Sequence, residues 1–107
     1  MRIAVAAGAD KVCARFEEST RLCLVETEGE RILRELPGPD PMGFARAALD
    51  SGCEAVACGK IADEAVFEAL ASQGMTRYMA AGLGVLEAAR AAEAGRLPIQ
   101  TRLNEIR

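Results

Sequence analysis

Apolar residues recur along this chain with two different periods, and the change from one to the other orders it. Over residues 2–7, Ile3 and Val5 alternate toward one face, which predicts a strand. Gly8-Ala9-Asp10 follows as a turn. Residues 12–20 have no period and a single aromatic, Phe16. A short apolar run at 22–25, a hairpin turn at Glu28-Gly29 and a return strand over 30–36, marked by Ile32, complete an antiparallel meander. Pro37, Pro39 and Pro41 then interrupt the pattern, because proline fixes φ and removes the backbone donor. Asp40 before Pro41 has the form of an N-cap followed by proline at the first helical position.

From here the period becomes helical. Residues 42–50 turn Phe44, Ala45, Ala48 and Leu49 inward and stop at Ser51-Gly52. Residues 53–75 read as strand, glycine turn and helix. The apolar run 54–58 is too short for a helix and lies between Gly52 and Gly59. Over 62–72, Ala65, Val66, Ala69 and Leu70 share a face, with Asp63, Glu64 and Glu68 near or on the other. A strand at 76–80, a glycine turn at 81–84 and an alanine-rich helix at 85–94 repeat that unit. Residues 98–107 show no clear period and read as a loose or partly disordered tail behind a domain of residues 1–97.

The order βββαβαβα predicts a single α/β domain: a mixed five-stranded sheet with helices on both faces, its last two strands parallel to the first. The C-terminal ends of three strands then share one edge, with loops 7–16, 58–63 and 80–84 upon it. Ligand sites in open α/β sheets form where strands end and helices begin.

Composition narrows the functions such an edge could serve. The 107 residues suit one domain, and no apolar run approaches the roughly 20 residues of a membrane span. The first ten residues lack the apolar core of a signal peptide, so the expected location is cytoplasmic. A net charge of −3 argues against non-specific nucleic-acid binding. Histidine is absent, which removes the commonest general base and the commonest nitrogen ligand for metals. No nucleophile–base pair emerges, and the first strand has none of the carboxylates a metal-dependent nuclease needs, so no enzyme is expected. The four cysteines, Cys13, Cys23, Cys53 and Cys58, contain no CxxC pair and do not form a zinc ribbon.

Several segments, in order, carry a likeness to a known family. They are the opening MRIAVA, Val12-Cys13-Ala14-Arg15-Phe16 leading into Leu22-Cys23-Leu24-Val25-Glu26, the hairpin Glu28-Gly29-Glu30, the segment Ala55-Val56-Ala57-Cys58-Gly59-Lys60-Ile61, and the closing glycine turn and helix at 80–97. Together they resemble the dinitrogenase iron–molybdenum cofactor biosynthesis family, the NifX-like proteins and the carboxy-terminal domain of the NifB type. The resemblance implies a ribonuclease H-like fold and binding of an anionic iron–sulfur or iron–molybdenum precursor cluster. It implies carriage or insertion, with cofactor-assembly proteins as partners. This chain departs from the family at Arg15, where members often carry histidine, and at 38–43, where many have a glycine- and histidine-rich segment.

On that footing the expected sulfur contact is Cys58, with Cys13 second, because thiolates suit metal–sulfur species and carboxylates suit hard cations. Cys23 and Cys53 read as packing residues. Arg15 and Lys60 would hold an anion, and Gly59, Gly82 and Gly84 would let backbone N–H groups approach it. Each residue also has a plainer reading, as a small hydrophobe, a solvated cation or a tight-turn marker. Asp10, Glu17, Glu18 and Asp63 crowd the same edge and would repel a strongly anionic ligand. The expected function is a non-enzymatic binding or carrier protein. The alternative is an interaction or regulatory module that kept the fold without the ligand site. A monomer or a homodimer paired through 31–36 is expected.

Overall fold

The meander forms as β1 (Arg2–Ala7), β2 (Arg21–Glu26) and β3 (Arg31–Pro37) in the computed structural model, which describes residues 1–38 and 40–103. Pro39 and residues 104–107 of the expected tail lie outside the described residues. β2 pairs antiparallel with both neighbours, from Arg2 opposite Glu26 to Ala7 opposite Arg21 on one side. The hairpin turn places its left-handed residue at Glu30 (φ 51°), one position after the glycine. Asp40 caps the next helix as expected, its carboxylate accepting from the Gly43 N–H at 2.6 Å.

The helical half supplies α1 (Pro41–Asp50), β4 (Ala55–Cys58), α2 (Glu64–Ser72), β5 (Thr76–Met79) and α3 (Val85–Glu93). Strand order is β3-β2-β1-β4-β5, with β4 parallel to both β1 and β5. The mixed five-stranded sheet read from the sequence is therefore the sheet observed. Strand alternation divides its side chains between two layers. Ala4, Ala6, Leu22, Leu24, Val56 and Cys58 face α1 and α2. Ile3, Val5, Cys23, Val25 and Ala57 face α3, whose Ala88, Ala89 and Ala92 are small enough to bring the helix close to the sheet. In α2 the buried stripe is Val66, Phe67 and Leu70, while Ala65, expected inside, is exposed. The bulky Phe67 takes the inward place and alanine gives it up.

The tail departs from expectation. Residues 98–100 lie along the outer edge of β5, with the Met79 N–H donating to Pro98 and the Gln100 N–H donating to Arg77, both at 2.8 Å. Ile99 bridges antiparallel to Tyr78. Gln100 is only 1% exposed. The fold thus continues past residue 97. A polar residue in an aperiodic run gave the sequence reading no sign of this.

Candidate functional site

The three loops at the C-terminal ends of β1, β4 and β5 are joined to one another by backbone hydrogen bonds. The Lys60 N–H donates to Ala14 at 3.0 Å and the Phe16 N–H to Lys60 at 2.9 Å, which makes Arg15 and Lys60 a parallel bridge. The Val12 N–H donates to Leu83, and the Gly82 N–H returns a bond to Val12, both at 2.9 Å. Phe16 opens a single 3-10 turn, Phe16–Glu18, and its ring anchors this knot in the core.

Gly59 makes the junction sterically possible. A Cβ there would lie 2.3 Å from the Cys13 carbonyl oxygen and 2.6 Å from the Ala14 carbonyl. Sequence reasoning reserved that space for a ligand; the chain's own backbone fills it. Gly82, at φ 90°, and Gly84, which precedes α3, have nothing near a would-be Cβ and remain open.

Beside the knot is a hollow of about 630 Å³, lined in part by Gly8, Asp10, Lys11, Cys13, Glu18 and Gly82. Cys13 is half-buried, and its thiol makes a long contact to the Glu18 carbonyl at 3.6 Å. A Cβ on Gly8 would come within 2.9 Å of that sulfur, so glycine keeps the thiol's side of the hollow clear. Arg15 is exposed and Lys60 partly so; neither makes an ion pair or a side-chain hydrogen bond among the described residues. The two cations are held in backbone register on an edge that also carries Asp10, Glu17, Glu18 and Asp63.

Cys58 lies elsewhere. Its side chain enters the layer under α1 and α2, is fully buried, and does not line the hollow. Burial, reinforced by the nearby Glu17 carboxylate and opposed by Arg77, pushes its thiol up to about 12. The site expected around Cys58 is thus split. Cys13 and Gly82 line the hollow, Arg15 and Lys60 belong to its loops, and Cys58 stands behind them in the core. Cys23 is buried in the α3 layer, where burial raises its thiol. Cys53 lies at the opposite end of the molecule with its thiol pushed up to about 11, again chiefly by burial.

Sequence reasoning missed what Glu17 does. Its Oε2 accepts from the N–H groups of Ala62 and Asp63 at 2.9 and 2.8 Å, and Asp63 in turn caps Ala65 and Val66. The chain's own carboxylates therefore occupy the α2 N-terminus, where an incoming anion would otherwise find free donors. At α3 the corresponding contact is weaker, Glu87 reaching the Gly84 N–H at 3.5 Å. Among the described residues, no three His, Cys, Asp or Glu side chains cluster as a metal cage.

The same fold recurs in solved structures. It is similar to the apo form of the orange protein from Desulfovibrio gigas, with a TM-score of 0.77 at 21% identity, over 97% of this chain and 96% of that one. It is similar to a candidate NifB protein from Thermotoga, at 0.73 and 22% over 97% of each chain. A candidate dinitrogenase from Methanocaldococcus jannaschii gives 0.71 and 18% over 94% and 95%. No curated protein matches this chain. The segments that build the sheet and its loop edge fall within residues 1–95, which match the family model for the dinitrogenase iron-molybdenum cofactor, and the chain belongs to that family.

Proposed function

We propose that this protein is a non-enzymatic carrier that takes an anionic metal–sulfur species at the loop edge, holding it in the hollow beside Cys13. The observation that carries this reading is a half-buried thiol in a hollow whose loops also present Arg15 and Lys60 without partners among the described residues. Thiolate is the suitable donor for such cargo, and two cations offset its charge. The absence of side chains at Gly82 and Gly84 leaves space for the cargo there, although the Gly82 N–H is already given to Val12. The residues fit a cargo held by one sulfur contact, which is labile by construction. They do not fit a caged resident cofactor, for want of a ligand cluster among the described residues.

Cys13 is the sulfur contact in this proposal, because a buried thiol at about 12 yields almost no thiolate at neutral pH and Cys58 faces away from the hollow. Asp10 and Glu18 on the rim oppose the attraction of Arg15 and Lys60 and favour weak, reversible loading. The partners are cofactor-assembly proteins, and the site of action is the cytoplasm. Among the described residues no helix is long and apolar enough to cross a membrane.

The test is anaerobic reconstitution with iron and sulfide, followed by absorbance. Charge-transfer bands are expected in wild type and in Cys58→Ala, and their loss in Cys13→Ala. Bands that persist undiminished in Cys13→Ala would remove the assignment. No bands in wild type would leave the second reading, an interaction module that kept the fold, which the lack of a ligand cluster among the described residues favours.

A further inference from the structure

We propose that residues 98–103 form a strap that fixes the loop edge from the far side of the sheet, with Gln100 as its latch. This concerns the geometry of the hollow whatever occupies it, and so stands apart from the carrier reading.

Gln100 comes from beyond α3, yet its side chain is bonded to a peptide 39 residues earlier in the chain. Its Oε1 accepts from the Ile61 N–H and its Nε2 donates to the Ile61 carbonyl, both at 2.9 Å, so one side-chain amide pairs with Ile61 as a neighbouring strand would. The same Nε2 reaches the carbonyls of Arg102 and Leu103 at 3.3 and 3.5 Å, which folds the strap back over its latch. Leu103 packs against the core under α1 and α2. Arg77 secures the strap from β5, donating from Nε to the Gln100 carbonyl at 3.1 Å while its guanidinium lies 4.8 Å from the Phe67 ring centre.

Ile61 follows Lys60, and Lys60 is bonded through its own peptide to Ala14 and Phe16 on the loop that carries Cys13. The path from strap to thiol is therefore a short series of hydrogen bonds: Gln100 to Ile61, then Lys60 to Ala14 and Phe16. Gln100 satisfies both backbone polar groups of the buried Ile61, which no other residue serves in this way among the described residues. When the latch leaves, those groups are unpaired in the core, and the loop must open toward water to satisfy them. Gln100 is thus a positioning residue for the hollow, and anything that lifts residues 98–100 from β5 loosens the loop edge.

The experiment needs no cargo. The full chain is treated with iodoacetamide under reducing conditions, and each thiol is followed by peptide mass mapping. Cys23, buried in the α3 layer, reports global opening, Cys53 reports the opposite end of the molecule, and Cys58, which precedes the opening segment, is read with Cys13. In Gln100→Ala, Cys13 is expected to react about tenfold faster or more while Cys23 and Cys53 keep their wild-type rates. Parallel acceleration of all four, or no change at Cys13, would overturn the strap. Should Gln100→Ala not fold, hydrogen exchange of the wild-type protein decides. Amides of 59–61 and of 98–101 are expected to open together, at lower free energy than β1 and β2, and separate openings would refute the coupling.

Discussion

A Cβ at Gly59 would meet backbone atoms of Cys13 and Ala14 that no rotamer change can move. Gly59→Ala should therefore force the two loops apart and cost roughly 1–3 kcal/mol or more, read as a lower urea midpoint with exposure of Cys13. Gly8→Ala is the milder case, since its close neighbour is the mobile Cys13 sulfur. The residue scale also sets the alkaline stability. Burial holds Cys58 neutral to about 12 against an ordinary 9.0, so the unfolded chain releases this proton first as pH rises. The stabilisation is whole below about pH 9 and falls through the interval up to 12, by about 1.4 kcal/mol per pH unit and roughly 4 kcal/mol in all. Urea titrations from about pH 8 to about pH 11 should show this decline in wild type and a shallower one in Cys58→Ala. Equal slopes would mean that the thiol is not held neutral.

At the scale of elements, α2 begins on carboxylates supplied by two segments. Asp63→Ala should cost about 0.5–2 kcal/mol as an ordinary cap loss. Glu17→Gln keeps an acceptor for Ala62 and Asp63 and should cost less than Glu17→Ala, the ranking to be read from urea midpoints. Among the described residues, β3 is the edge left uncovered. Ile32 and Leu33 are each 41% exposed, but the register shift against Leu24 and Val25 leaves Leu33 without an opposite number, and Arg31, Arg34, Glu35 and Pro37 flank it. Bulges, charges and proline each discourage edge pairing, so light scattering should find a monomer rather than the homodimer entertained for this strand. The elements themselves were legible because alternation, the Asp40 cap and the glycine stops are local signals. The direction of Cys58 was not. All four residues of β4 are buried, so the strand carries no polar alternation to mark its faces. The close approach at Gly59 and the reach of Gln100 depend on partners 45 and 39 residues away, beyond any local pattern.

For the whole molecule, the chain carries a net charge of −3 and is proposed to bind an anion, so attraction must come from the local arrangement of Arg15 and Lys60. Arg15→Gln and Lys60→Gln should each weaken cluster loading several-fold, by about 1 kcal/mol, and the double variant should lose most of its salt dependence. Loading that is indifferent to both would show that the sulfur contact acts alone. The sheet's asymmetry has a further consequence, in spectroscopy. Its β5 edge is covered by the chain's own end, and the tyrosine there, Tyr78, is the single tyrosine of a chain without tryptophan. Ultraviolet emission from this protein therefore originates almost wholly at the junction of Tyr78 with Ile99, so the fold carries its own optical reporter of whether the C-terminal segment is seated.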